Sequence, residues 1–211
     1  MSKPEWVSAE ELYKRWLIHK KEKSVWKKFI PHIPFPIPQS IKDISKLTNE
    51  HCEFLGYYAA EGLTYPNYVV IEICAKAKQL AERIYEISEK LFPNTHLYER
   101  TDKHDGLRYL RISINSTKTA EFIRKLCPGD GRTKEFHPAV LWLPPQKQMS
   151  LLQAFLKGDG CVTKRKEGQI TVNYASTTSL FLALQLQLML FRNKIFAGIT
   201  SEPIFSGRGL G

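Results

Sequence analysis

Residues 54–62 read Phe-Leu-Gly-Tyr-Tyr-Ala-Ala-Glu-Gly, and residues 152–160 read Leu-Gln-Ala-Phe-Leu-Lys-Gly-Asp-Gly. Each stretch is an apolar run that contains small residues and ends in one carboxylate followed by a glycine. The two carboxylates, Glu61 and Asp159, lie 98 positions apart, which is a plausible length for one structural repeat. The sequence therefore predicts two copies of one unit, each of which delivers a single acid from the end of a helix.

Small residues recur at helical spacing within both stretches. Gly56 and Ala60 are four positions apart, as are Ala154 and Gly158, so each pair lies on one face of its helix. Small side chains on facing surfaces let two helix backbones approach closely. We therefore expect the two helices to pack side by side and to bring their terminal acids together.

Two carboxylates held close together repel each other unless a cation lies between them. Hard oxygen ligands of this kind favour Mg²⁺ or Mn²⁺, and such ions support phosphodiester hydrolysis by activating water and stabilising the leaving oxygen. A single acid-glycine pair is most often an ordinary helix end. Two such pairs at matched positions instead indicate a pseudo-symmetric metal site between two halves of the protein.

The composition favours an intracellular protein that binds a polyanion. The chain has 211 residues and a net charge of +10, which points to nucleic acid or an anionic membrane surface. Its four cysteines are far apart and form no CxxC pair, so buried thiols are favoured over a disulfide framework or a zinc site. No apolar run approaches the roughly 18 residues needed to span a bilayer. We therefore expect a cytoplasmic protein without a membrane partner.

The periodicity of the chain predicts an ordered series of helices and strands. In the first copy, a helix capped by Thr48 or Asn49 is followed by a strand over 68–74, a helix over 76–92, a hairpin over 95–102 and 107–115, and a helix over 117–126. In the second copy, a helix over 146–157 is followed by strands over 161–165 and 169–176 and by a helix over 177–194 capped by Ser176. Nothing in the second copy corresponds to the closing helix of the first, so the chain is either a fragment or has lost that end.

Proline alternates through residues 31–38, which predicts an extended connector. The chain then divides into an N-terminal extension with this connector over 1–45, a first repeat over 46–130, and a linker with a second, incomplete repeat over 131–211.

The two stretches resemble the paired dodecapeptides of the LAGLIDADG homing endonucleases, particularly those found inside archaeal-type inteins. The resemblance extends from about Leu47 to the C-terminus and includes the segment over 137–144. It implies an α+β fold of two pseudo-symmetric αββαββα halves, the second truncated here, in a monomer that cleaves double-stranded DNA. It also implies that Glu61 and Asp159 bind Mg²⁺ or Mn²⁺, with the adjoining Gly62 and Gly160 as further candidate ligands. An intein origin would make the chain part of a larger host precursor, with residues 1–45 as a remnant of a splicing block.

The strand patterns fit the polar, DNA-reading sheet face that this resemblance implies. The candidate DNA-binding residues are Tyr68, Glu72, Arg100, Arg108, Tyr109, Ser113, Lys164, Arg165, Lys166, Gln169, Thr171 and Asn173. The family places a basic residue near the metals, and Arg111 or Arg100 could take this catalytic role. Two alternatives stay open: a non-cleaving DNA- or RNA-binding relic or RNA maturase on the same scaffold, and a structural domain whose basic surface is incidental.

Overall fold

The computed structural model describes residues 44–103, 106–164 and 171–200. The first half contains α1 (Asn49–Glu61), β1 (Gly62–Thr64), β2 (Val69–Cys74), α2 (Lys78–Leu91), β3 (Thr95–Thr101), β4 (Arg108–Ile114) and α3 (Thr117–Leu126). The second half contains α4 (Pro145–Asp159), β5 (Gly160–Lys164), β6 (Thr171–Ala175) and α5 (Leu180–Arg192). The predicted α+β class is confirmed. The proposed boundaries stay predictions, and residues 1–43 of the extension lie outside the described part of the chain.

The helix starts follow local sequence signals. The Thr48 hydroxyl accepts a hydrogen bond from the His51 amide, and the His51 side chain accepts one from the Thr48 amide, so the predicted cap of α1 is confirmed. Helix α4 begins at Pro145, where a missing amide hydrogen costs no helical hydrogen bond. The predicted cap of α5 is wrong. Ser179 caps this helix instead of Ser176, because the chain needs the residues after Ala175 to turn out of β6.

Both halves begin with the same elements, a helix followed by an antiparallel pair of strands. The first sheet is antiparallel with the order β1-β2-β4-β3, and β5 pairs with β6 in the described part of the second half. Gly62 lies opposite Ile71 in the first sheet, and Gly160 lies opposite Ala175 in the second. Each motif acid is therefore followed by a short strand that begins an antiparallel hairpin. The three residues of β1 are too few to show an alternating pattern, so the sequence did not predict this strand.

Helices α1 and α4 pack against each other at the centre of the molecule through their small residues. A Cβ atom added to Gly56 would overlap the carbonyl oxygen of Leu151 and lie 2.7 Å from the Cβ of Ala154. One added to Gly158 would lie 2.6 Å from the Cβ of Ala60. Each of the four small residues therefore contributes to the close approach of the two helix backbones.

The hydrophobic core lies between this helix pair and one face of the first sheet. Its fully buried members include Ile71, Ile112 and Ile114 from the strands and Ile84 and Ile123 from α2 and α3. The opposite face of the same sheet carries polar side chains and remains open. No helix in the described residues is both long and apolar enough to cross a lipid bilayer.

Replacing Gly56 with alanine is expected to lower the free energy of unfolding by about 3 kcal/mol, because overpacking forces the two helix backbones apart. Urea denaturation of wild type and variant measures this loss. Gly198→Ala is the matched control, since no atom lies within 4 Å of the added methyl group. Equal losses in both variants would contradict the close packing described above.

Candidate active site

Two carboxylates stand at matched ends of the central helices. Helix α1 ends at Glu61, helix α4 ends at Asp159, and the glycines that follow have nearly identical extended conformations, with φ of −92° and −93°. A side chain on either glycine would collide with the helix just completed: with Tyr58 at Gly62 and with Leu156 at Gly160. The glycine therefore lets the chain fold directly back into a strand, which explains why an acid-glycine pair recurs.

The helix crossing brings the two acids together. A Cβ atom added to Gly158, the residue before Asp159, would lie 3.5 Å from the Cγ of Glu61. Burial raises the pKa of Glu61, and repulsion by Asp159 raises it further. Burial also raises the pKa of Asp159, while Lys134 acts in the opposite direction on both groups. The acids form a coupled, half-buried pair.

Lys134 is the cation of this site, and the sequence did not predict it. It lies in the segment between α3 and α4, and only 4% of the residue is exposed. Its Nζ donates hydrogen bonds to the carbonyl oxygens of Tyr58 and Ala59, each at 3.1 Å, and of Gly62 at 2.8 Å. The Tyr58 carbonyl also accepts from the Gly62 amide. A helix end carries partial negative charge and carbonyls that lack helical donors, so an ammonium group is favourable there.

Burial lowers the pKa of Lys134, and the nearby Asp159 and Glu61 partly oppose this effect. The ammonium group therefore compensates part of the negative charge of the pair. With all three groups ionised, the site has two carboxylates and one ammonium group and so carries a net negative charge.

The loop before Lys134 is built to hold this side chain in place. Asp130 accepts hydrogen bonds from the amides of Arg132 and Thr133, and the Lys134 amide donates to the Asp130 carbonyl at 2.6 Å. From the other side, the Ser179 hydroxyl donates to the Lys134 carbonyl at 2.6 Å. The start of α5 therefore fixes the loop that delivers the cation. An Asp-Gly-Arg-Thr turn directly before a lysine is the local signal that could have indicated it.

The donor set fits a hard divalent cation. Among the described residues no group of three or more histidine, cysteine, aspartate or glutamate side chains could hold a metal. Glu61 and Asp159 could serve as two side-chain ligands, with backbone carbonyls, water and phosphate oxygens completing the shell. A cation between them would relieve the repulsion that raises the pKa of Glu61. The carbonyl of Gly62 already accepts from Lys134, and the metal assignments of Gly62 and Gly160 stay predictions.

Arg111 and Arg100, the two arginines considered for the basic catalytic role, both pair with Glu72, and that role stays a prediction for either one. Arg111 Nε donates to Glu72 Oε1 at 2.6 Å, and Arg100 donates to the same oxygen at 3.0 Å. Lys134, by contrast, lowers the pKa of both motif acids. The contacts therefore support Lys134, instead of either arginine, as the basic residue of the site.

The polar face of the first sheet contains most of the remaining candidates. Glu72, Arg111 and Tyr98 lie side by side across β2, β4 and β3, and Cys74, Tyr109 and Arg100 form the adjacent row. Arg108, at the start of β4, forms an ion pair with Glu99 at 3.2 Å. In this half, the candidate cations are thus paired with acids of the same sheet.

The structure describes fewer of the DNA-binding candidates in the second half. Asn173 is exposed on β6, and Lys164 and Thr171 are opposite each other at the ends of β5 and β6. Arg165, Lys166 and Gln169 lie outside the described residues. The DNA-binding assignments of this half stay predictions.

Comparison with known proteins identifies the fold. Residues 146–210 match the model of the LAGLIDADG-like domain family. The chain superimposes on the N-terminal LAGLIDADG domain of DUF199/WhiA with a TM-score of 0.50 and 14% identity, over 76% of this chain and 74% of that one. The protein has a LAGLIDADG fold. The predicted resemblance and the predicted pseudo-symmetric halves of this fold are confirmed.

Two further proteins are similar to this chain. One is a solved structure with a lower TM-score, and the other is a much longer helicase. Mesophilic variants of the homing endonuclease I-DmoI match with a TM-score of 0.47 and 13% identity, over 75% of this chain and 84% of theirs. The ATP-dependent DNA helicase Hel308 of Thermococcus kodakarensis is 27% identical over 241 aligned positions, covering 95% of this chain. The LAGLIDADG chain spans only 20% of the length of that helicase.

Proposed function

We propose that this LAGLIDADG protein is a site-specific endonuclease that hydrolyses double-stranded DNA with a divalent metal, Mg²⁺ or Mn²⁺. The observation that carries the proposal is the pair of acids at the ends of two packed, repeated helices. The net charge of +10 supports a polyanionic substrate.

The residues of the site would have different roles in this reaction. Glu61 and Asp159 would hold the metal, which when bound supplies activated water and stabilises the leaving oxygen. Lys134 would orient the end of α1 through its three carbonyl contacts and keep both carboxylates ionised by its charge. Because the acids are half-buried, their charges act in a medium less polar than water, which strengthens their hold on a cation.

The polar face of the first sheet would lie against the duplex. An antiparallel ribbon fits the major groove, where side chains reach base edges. Arg100 and Arg111 would read bases while Glu72 keeps their guanidinium groups in fixed positions. We further propose an intein origin and a monomer with one site between its halves. The partial coverage of the helicase supports a segment that belongs to a longer precursor.

The proposal is tested on a library of randomised duplexes incubated with Mg²⁺ or Mn²⁺ and sequenced at the cut ends. We expect one preferred target, cut only when metal is present, and duplex binding that weakens as salt increases. Salt-dependent binding without any cut product would favour the alternative function, a non-cleaving DNA- or RNA-binding relic or maturase. The absence of binding at low salt would contradict both.

A further inference from the structure

A cavity of about 380 Å³ opens on the polar face of the first sheet. It is lined by Tyr68, His96, Tyr98, Arg111, Ser113 and Asn115. Strand register explains its shape, because His96 lies opposite Ser113 and Tyr98 lies opposite Arg111 on neighbouring strands. Small-molecule sites in proteins are typically of about this size, ~300–1,000 Å³. The cavity is therefore large enough to hold a planar ring system.

Two tyrosines, Tyr68 and Tyr98, line the cavity. Tyr68 stacks on Tyr65 with ring centroids 4.4 Å apart and an interplanar angle of 11°. The Tyr65 amide donates to the Tyr68 carbonyl at 2.9 Å, which fixes the tight turn that carries both rings. Across the cavity, Tyr98 is 45% exposed. Preformed, exposed tyrosine faces of this kind bind nucleobases by stacking.

Arg111 is the arginine that lines the cavity. Arg111 is only 24% exposed, and its guanidinium group is paired with the Glu72 carboxylate at 2.6 Å. Partial burial acts to lower the pKa of Arg111, but hydrogen bonds with Tyr98 and Glu72 outweigh it and raise the pKa. The arginine stays charged while Glu72 compensates its charge at close range. The guanidinium group is thus held in a fixed position by Glu72 and Tyr98.

The polar groups of the cavity suit the edge of a base. The Ser113 hydroxyl donates to Asn115 Oδ1 at 3.0 Å, which fixes the orientation of the Asn115 carboxamide. Arginine, serine and asparagine side chains are the donors and acceptors that proteins use to recognise base edges. The cavity thus combines aromatic faces for stacking with hydrogen-bonding side chains, and these are the two kinds of group that bind a nucleobase.

We propose that this cavity binds one nucleobase that has left the base stack, held between Tyr68 and Tyr98 with its edge towards Arg111. The inference rests on the proposed function, because bound nucleic acid would supply the base. Extruding a base from a paired duplex costs a few kcal/mol, and this cost is lowest for a base that is already unpaired. An extrahelical base should therefore increase affinity without any change in sequence recognition.

Two duplexes with identical flanking sequences provide the test, one fully paired and one carrying a single bulged 2-aminopurine. We expect wild-type protein to bind the bulged duplex about tenfold more tightly, since stacking on one aromatic side chain contributes on this scale. The 2-aminopurine emission should fall on binding because the base stacks on tyrosine. Tyr68→Ala and Tyr98→Ala should remove the preference for the bulged duplex over the paired one, whatever their effect on paired-duplex affinity, and thermal melting checks that each variant is folded.

Tyr174→Ala is the matched control, because Tyr174 is 51% exposed on β6 of the other sheet and should leave the preference intact. Equal affinity of wild-type protein for the two duplexes would overturn the cavity proposal alone. Failure to bind either duplex at low salt would overturn the proposed function together with it.

Discussion

Cleavage by Asp159→Asn and by Glu61→Gln is expected to be at least about 1000-fold slower than by wild-type protein, because each variant would lose one of the two proposed side-chain metal ligands. Binding to the paired duplex should remain, since neither residue lies on the polar sheet face. A single-turnover cleavage assay on the selected target, together with fluorescence anisotropy in EDTA, separates the two effects. Glu121→Gln, on the exposed face of α3, is the matched control and should cut at the wild-type rate.

The same variants should become more stable than wild type when metal is absent. Burial and mutual repulsion raise the pKa of Glu61, so the folded state binds this proton more tightly than the unfolded state does. The contribution to stability is therefore present below the unfolded pKa, about 4.3 for glutamate, and is lost as pH rises through the higher folded value. Glu61→Gln should consequently raise the metal-free melting temperature at pH 7 and have little effect near pH 3. Lower stability at pH 7 would contradict a repulsive pair.

Local sequence signals predicted the part of this fold that depends on neighbouring residues. The cap at Thr48, the amphipathic helix α2 and the paired acid-glycine ends follow from residue types at fixed short spacings. The close packing of α1 against α4, seen where Gly56 meets Leu151, also follows from the sequence, because small residues four positions apart on one helix face let two helices approach closely.

The rest of the site depends on contacts between residues distant in sequence. Lys134 reaches carbonyls 72 to 76 positions earlier, from a segment without periodicity in a chain rich in lysine. The pairing of Glu72 with Arg111 depends on the register of β2 against β4, which no local pattern fixes. Arg111 consequently looked like a free cation in the sequence, although the fold gives it a carboxylate partner.

Replacing Lys134 with methionine is expected to lower the free energy of unfolding by about 3 kcal/mol. Methionine fills much of the same space but removes the Lys134 donor from the carbonyls of Ala59 and Gly62 and one of two donors from the carbonyl of Tyr58, which also accepts from the Gly62 amide. Each buried group that loses its donor is costly. Urea denaturation measures the loss, and Lys125→Met on the exposed side of α3 should change stability by less than about 0.5 kcal/mol.

A second measurement separates this structural effect from the role of Lys134 in the site. The ammonium group lowers the pKa of both motif acids, so its removal should raise these pKa values further. Since the metal binds the ionised carboxylates, the acidic limb of the pH–cleavage profile of Lys134→Met should move to higher pH. A merely destabilised enzyme, assayed well below its melting temperature, would keep the wild-type profile. An unchanged acidic limb would therefore restrict Lys134 to stabilising the end of α1, whereas a shifted limb shows that its charge acts on the acids.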